Sequence, residues 1–170
     1  MESVGFCLLT NVEGHDEQEL LKAVRAFHEL PQEVKMTMAP KHLCPGNKNI
    51  YHGYFPFLDS DPSHKEFYDM PRPLEDISDW ERNGCPLYEF IPWVSNKDDP
   101  KGEHNWILQA FQKYHKCMHD NALRLLRCLS MGFGKSEEYF DPWFKQECSS
   151  VFRAIHYKPR EDALQEEQKV

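Results

Sequence analysis

The sequence predicts an α+β fold, and three stretches of the chain carry that prediction. Residues 105–131 place apolar side chains alternately three and four positions apart, which is the spacing of a long amphipathic helix. Residues 16–30 repeat this spacing behind an acidic run that suits a helix N-terminus. Residues 149–157 are instead rich in β-branched and aromatic side chains and end before Pro159, as a strand would.

Shorter elements are predicted between and beside these stretches. Residues 4–9 are apolar on both faces and predict a short buried strand. Pro31 ends the first helix and suits the first position of a second, short helix over residues 31–36. After the long helix, Gly132 suits a left-handed C-terminal cap, and Ser136 suits the N-cap of a short helix through Tyr139 and Phe140.

Residues 39–100 hold most of the 12 prolines and predict irregular connections with short strands. Within them, residues 50–56 are aromatic enough to form a strand or an ordered loop packed on a core. Gly53 allows a bend or a close approach of the backbone at that point.

Composition excludes several classes of protein. The formal net charge of −8 and the lack of any basic cluster argue against binding to nucleic acid or to an anionic membrane. No apolar run approaches the length of a bilayer span, so no membrane association is predicted. The 6 cysteines contain no C-x-x-C pair and predict free thiols and a cytoplasmic location.

Candidate metal ligands are few when judged by spacing. His115 and His119 lie four residues apart on the long helix, but Lys116 follows the first, so we expect solvent-facing histidines rather than a metalloprotease motif. Cys117 and Cys128 on the same helix are expected to pack in the core.

A facial-triad iron site needs a His-x-Asp or His-x-Glu pair. The segments His15-Asp16-Glu17 and His64-Lys65-Glu66 have that form, but their acids suit a helix N-terminus or the surface. From spacing alone we therefore predict no catalytic and no metal-binding residue.

Five stretches, in order, resemble the N-terminal region of the isopenicillin N synthase-like non-haem iron(II)/2-oxoglutarate dioxygenases. They are Gly5 to Asn11 ("GFF-hydrophobic-x-NHG"), Leu30 to Lys35 ("L-P-x-E-x-K"), Tyr51 to Pro56 ("Y-R-G-Y-hydrophobic-P"), Lys65 to Met70 ("K-E-x-x-D") and Phe152 to Pro159 ("L-R-hydrophobic-x-x-Y-P-P"). The resemblance covers residues 4 to about 160. The chain departs from these patterns at Val12, His52 and Lys158, which replace the family's His, Arg and first Pro.

The resemblance implies a helical flank plus the first strands of a distorted double-stranded β-helix (jelly roll), which is incomplete. It divides the chain into a dioxygenase N-terminal domain over residues 1–160, truncated at both ends, and a mobile tail over residues 161–170 leading toward the missing catalytic jelly roll. The family's iron-binding His-x-Asp and distal His, and its 2-oxoglutarate-binding Arg-x-Ser, would follow the region matched here.

The resemblance also implies a pocket and its ligands. Tyr157 matches the tyrosine that reaches the 2-oxoglutarate or substrate end of the pocket, and His52 and Tyr54 would lie at its mouth. Plain core packing remains open for Tyr54. Fe(II), 2-oxoglutarate and a small-molecule substrate belong to the full-length family, and we expect no cofactor to bind this chain alone.

Two hypotheses about function follow from the resemblance. The chain is either the N-terminal portion of an iron(II)/2-oxoglutarate-dependent oxygenase, inactive alone, or a non-catalytic truncated isoform. In the second case it would act as a binding module and associate through an exposed sheet edge.

Overall fold

The computed structural model describes residues 8–73, 87–95, 97–144 and 150–158. In chain order its elements are α1 (Glu17–Glu29), α2 (Gln32–Met36), β1 (Gly53–Phe55), β2 (Lys65–Pro71), α3 (Asn105–Gly132), α4 (Asp141–Phe144) and β3 (Val151–Tyr157). The helices α1 and α3 pack together, and α3 also contacts β3 of the sheet. The α+β class predicted from the sequence is confirmed.

Helix α1 begins where its sequence predicts. The Asp16 carboxylate accepts a hydrogen bond from the backbone N–H of Glu19 at 2.9 Å, which satisfies one of the unpaired donors of the first turn. Leu30 ends the helix in extended backbone before Pro31, and α2 follows directly. Helix α1 turns Ala23 and Phe27 inward, and both are fully buried.

The three strands form one antiparallel sheet in the order β1-β2-β3. Tyr54 pairs with Tyr68, and Tyr68 pairs with Ala154, so these side chains share the face that the helices cover. Side chains alternate between faces along a strand. The other face therefore carries Ile155 and Tyr157, which are 37% and 60% exposed.

The core lies between the helices and the covered face of the sheet. The ring of Phe27 lies 4.8 Å from that of Tyr68, and the ring of Phe111 on α3 lies 4.8 Å from that of Phe152 on β3, measured between centroids. These four aromatic side chains are at most 8% exposed, and aromatic residues of this size dominate core stability.

Gly53 makes the close backbone approach that the sequence predicts. Its φ of 120° lies in the region that favours glycine, and a Cβ added there would lie 1.9 Å from the carbonyl oxygen of Met38. The next residue, Tyr54, donates its backbone N–H to the same oxygen at 3.1 Å. Glycine is thus required for β1 to meet the segment that follows α2.

Three local predictions need correction. Residues 4–7 of the predicted first strand lie outside the described residues, and Leu8 and Leu9 at its end have no strand structure and are 88% and 45% exposed. Helix α3 continues through Gly132, and the left-handed residue that caps it is Gly134, at φ 66°. The following helix begins at Asp141, because residues 137–140 form a turn instead.

Three predicted environments on α3 can also be compared with the structure. His115 is buried rather than solvent-facing. Its Nε2 lies 2.9 Å from the hydroxyl oxygen of Ser150, the residue before β3. Cys128 is exposed rather than packed in the core, whereas Cys117 is buried as expected. In the described residues, none of the helices is long and apolar enough to cross a membrane.

Candidate functional site

A buried carboxylate on β2 is the centre of a polar cluster in the core. Glu66 is 2% exposed and points from the sheet toward the helices. Its Oε2 accepts hydrogen bonds from Lys35 Nζ at 2.9 Å and from the Tyr54 hydroxyl at 2.5 Å. Its Oε1 lies 2.8 Å from His156 Nδ1. An ionised group this deeply buried needs such partners, since an unpaired buried charge is strongly destabilising.

Four elements deliver these partners to one point. Glu66 and His156 are opposite each other in the β2–β3 register. Tyr54 comes from β1 on the same face, and Lys35 reaches down from α2. Lys35 Nζ also donates to the carbonyl oxygen of His28 at 3.0 Å, near the end of α1. The cluster therefore fastens the helical flank to the sheet.

The cluster keeps Glu66 charged. Burial by itself would raise the pKa of Glu66, but hydrogen bonds from His156, Tyr54 and Lys35 outweigh burial and lower that pKa to about 2. Burial and the hydrogen bond to Glu66 raise the pKa of the Tyr54 phenol, which therefore stays neutral as a donor. The resulting arrangement is a charge-balanced Glu66–Lys35 pair with fixed hydrogen-bond geometry.

His28 is the least satisfied member of this cluster. Its side chain is 7% exposed, and its Nδ1 lies 3.4 Å from Glu66 Oε1. Neither ring nitrogen has a hydrogen-bond partner among the described residues. Burial lowers the pKa of His28 to about 4 despite the attraction of Glu66, so the ring is neutral near pH 7.

The three pocket residues predicted from the resemblance lie in different environments. Tyr54 is fully buried in the Glu66 cluster. His52 is also buried, and its Nδ1 and backbone N–H both lie within 3.0 Å of Glu89 Oε2. Tyr157 is exposed on the opposite face of the sheet. The structure thus brings none of the three side chains together.

The separation of His52 and Tyr157 follows from the register. Gly53, next to His52, is level with Asp69 and hence with Arg153 on β3. Tyr157 lies four residues further along that strand, which corresponds to roughly 13 Å. A cavity of about 110 Å³ lies beside His52, between Arg72, Tyr88 and Ser150.

Among the described residues, no spacing-based motif has both of its candidate ligands in a group of three side chains that could share an ion. His15 packs against the Tyr114 ring while Asp16 caps α1. His64 has a left-handed backbone before β2, and the described group of three possible ligands around Glu66 does not include it. The rings of His115 and His119 stack 6.5 Å apart, with no third ligand among the described residues.

These observations test whether the described residues fit the iron of the resembled family. The described ranges hold one group of three His, Cys, Asp or Glu side chains close enough to share an ion, namely His28, Glu66 and His156. No two of these three residues have the His-x-Asp spacing, and the second oxygen of the Glu66 carboxylate already accepts a hydrogen bond from Lys35. The set does not match the family's iron site, so we derive no reaction step through iron.

Sequence reasoning missed the cluster because its members are far apart in the chain. His28, Lys35, Glu66 and His156 come from separate elements, and no spacing rule joins them. The sequence of β2 did contain one indication of the cluster. Alternate residues of this strand, Glu66, Tyr68 and Met70, lie on one face, so the carboxylate shares that face with two large apolar side chains and needs polar partners there.

Comparison with known proteins gives one sequence relative of note. No protein-family model matches the chain. It is 28% identical over 162 residues to isopenicillin N synthase from Amycolatopsis lactamdurans, a match that covers 93% of this chain and 47% of that enzyme. The chain thus spans about half the length of this curated relative.

Solved structures share the fold at lower identity. A 2OG-Fe(II) oxygenase family protein from Caulobacter crescentus is 20% identical with a TM-score of 0.60, over 85% of this chain and 45% of its own. A full-length protein from Neurospora crassa, solved with alpha-KG and 5-formyluracil, is 18% identical with a TM-score of 0.59, over 95% of this chain and 43% of its own. JOX2, solved with 2OG, Fe and JA, is 19% identical with a TM-score of 0.50, over 89% and 40%.

Sequence and fold point to the same group of proteins. The sequence relative and the structural relatives are matched over most of this chain and over less than half of their own length. The chain is therefore similar in sequence to isopenicillin N synthase and in fold to the 2OG-Fe(II) oxygenases, and it corresponds to part of their length.

Proposed function

We propose that this chain forms the N-terminal portion of an iron(II)/2-oxoglutarate-dependent oxygenase that acts on a small molecule. The observation that carries the proposal is that the two faces of the sheet differ in burial. One face is closed by α1 and α3, while the other exposes Val151, Ile155 and Tyr157 at 46%, 37% and 60%. A sheet normally buries an apolar face against a second layer.

In this proposal the open face meets the rest of a distorted jelly roll. The iron ligands and the 2-oxoglutarate-binding Arg-x-Ser would come from the part of the family fold that follows the region matched here. In that family, bound iron and 2-oxoglutarate supply oxidative chemistry in which 2-oxoglutarate is decarboxylated to succinate. The role of this chain is to hold the helical flank rigidly on the sheet through the Glu66 cluster and the aromatic core.

Tyr157 keeps its proposed role at the 2-oxoglutarate or substrate end of the pocket. Its position on the open face supports this assignment, because a phenol there can donate a hydrogen bond to a carboxylate. On the same face Arg153 holds Asp69 through two hydrogen bonds of 2.6 and 2.7 Å. The proposed contacts of His52 and Tyr54 with ligand would require both side chains to leave their present partners.

A second candidate function rests on the free edge of the sheet. Within the described residues, β3 pairs only with β2, so one side of its seven residues carries unpaired backbone groups. Such an edge can add a strand from another chain. We therefore keep a non-catalytic binding module as the alternative, and a cytoplasmic location remains a prediction for either.

The intact mass of the endogenous protein separates these two functions. The oxygenase proposal expects a species well above 20.1 kDa that contains a downstream His-x-Asp peptide and releases succinate from 2-oxoglutarate when iron(II) is supplied. A species of 20.1 kDa without succinate release would overturn that proposal. In that case, a complex seen by light scattering would support the binding module.

A further inference from the structure

The two oxygens of the Glu66 carboxylate face different chemical environments. Oε2 accepts from Lys35 and Tyr54, which balance its charge and fix its direction. Oε1 faces two imidazole rings, with His156 Nδ1 at 2.8 Å and His28 Nδ1 at 3.4 Å. Oε2 is therefore held by two hydrogen-bond donors, whereas Oε1 faces two imidazole nitrogens.

His28 gives an independent sign that this second side can take a ligand. A histidine whose side chain is only 7% exposed normally forms a hydrogen bond through at least one ring nitrogen, because an unsatisfied buried polar group is destabilising. Both ring nitrogens of His28 lack such a bond among the described residues. The ring is directed at Glu66 and also lies 5.3 Å from the His156 ring between centroids.

We propose that His28, Glu66 and His156 form a binding site for a divalent transition-metal ion of the zinc class, separate from the iron site of the resembled family. One ligand atom from each residue lies within 4.8 Å of the other two. Around a tetrahedral zinc ion, neighbouring nitrogen and oxygen ligands lie roughly 3.3–3.5 Å apart. The distance from Glu66 Oε1 to His28 Nδ1, 3.4 Å, matches this spacing. The distance from Glu66 Oε1 to His156 Nδ1, 2.8 Å, is shorter because these two atoms are hydrogen-bonded to each other.

Lys35 and Tyr54 then serve as outer partners of the metal-binding carboxylate. Such partners orient a ligand and are a regular part of metal sites. Because the charge of Lys35 cancels that of Glu66, the site offers no net negative charge to a cation. This argues against Ca²⁺ and Mg²⁺, which need several oxygen ligands, and favours ions that bind imidazole, such as Zn²⁺ and Co²⁺.

His156 provides the route by which an ion reaches the cluster. Its side chain is 47% exposed, whereas those of His28 and Glu66 are 7% and 3% exposed. Metal binding would replace the present contact between His156 Nδ1 and Glu66 and leave the ring proton on Nε2. A water molecule entering from the same side would complete four-coordination.

Co²⁺ titration of the chelator-treated 170-residue chain tests the site, because four-coordinate Co²⁺ absorbs visible light. We expect one equivalent to bind. His28→Gln and His156→Gln should each weaken binding by on the order of 100-fold or more, since loss of an outer partner alone costs roughly 10–100-fold. The half-exposed His156 provides a variant that keeps the core intact, and circular dichroism checks the folding of both.

The control is the His115→Gln/His119→Gln double variant, which removes the stacked histidine pair on α3. It should bind Co²⁺ as the unaltered chain does. The proposal is overturned if the folded chain binds no Co²⁺, or if binding survives in the folded His28 and His156 variants. Either outcome leaves the oxygenase proposal standing, because that proposal places the iron ligands elsewhere.

Discussion

Glu66 on β2 and Lys35 on α2 form an ion pair of 2.9 Å inside the core, with side chains that are 3% and 6% exposed. The pair joins an element of the helical flank to the central strand of the sheet. Removing one member of such a pair leaves an uncompensated buried charge, which is far more costly than losing a surface ion pair.

Glu66→Gln should therefore destabilise the chain by about 3–5 kcal/mol, because Lys35 would keep its charge without a partner. Urea unfolding followed by circular dichroism measures this change. Glu103→Gln is the matched control, since that side chain is 65% exposed and should change stability by less than about 0.5 kcal/mol. Equal effects of the two substitutions would refute the structural role of the cluster.

Tyr54→Phe removes one hydroxyl from the same cluster. The hydroxyl donates to Glu66 Oε2 at 2.5 Å, so its loss should cost about 1–3 kcal/mol and raise the pKa of Glu66. Tyr157→Phe is the control and should be within about 0.5 kcal/mol of the unaltered chain, because that side chain is 60% exposed. A larger loss for Tyr157 than for Tyr54 would contradict the placement of these residues on opposite faces.

Gly53→Ala should prevent β1 from docking. An alanine Cβ would lie 1.9 Å from the Met38 carbonyl oxygen at a backbone φ of 120°, so we expect a loss of at least about 2–3 kcal/mol. Gly46→Ala is the matched control, because no atom lies within 4 Å of the added methyl group. That substitution should be neutral or stabilise by up to about 1 kcal/mol.

Acid should weaken the fold through buried histidines. Burial lowers the pKa of His115 below the usual 6.5, helped by His119 and Arg72 and opposed by the contact with Ser150. The unfolded chain therefore binds the proton first, so stability is complete above about pH 6.5 and falls as pH drops below that value. His28 contributes in the same direction, because its pKa is about 4.

His115→Gln should reduce, without abolishing, the slope of unfolding free energy against pH below about pH 6.5. Urea unfolding at several pH values, with a chelator present, gives this slope. An unchanged slope in the His115 variant would show that this histidine protonates equally in the folded and unfolded chains.

Local sequence determined most of the helices. The acidic cap at Asp16 and the apolar spacing of residues 105–131 predict α1 and α3 to within one or two residues, because helical periodicity and capping depend on near neighbours. The strand β3 is predictable for the same reason, through its β-branched and aromatic side chains. The resemblance to the oxygenase family, drawn from short motifs in order, is confirmed by the relatives found.

Only the tertiary structure decided which side chains meet. Residues 28, 35, 66 and 156 come together because α1, α2 and two strands converge on one face of the sheet, and burial then forces the polar groups among them to find one another. The same packing buried His115 and left Cys128 exposed, although both lie on one amphipathic helix. Periodicity specifies which stripe of a helix is apolar, whereas the depth of each residue depends on the elements packed against that stripe.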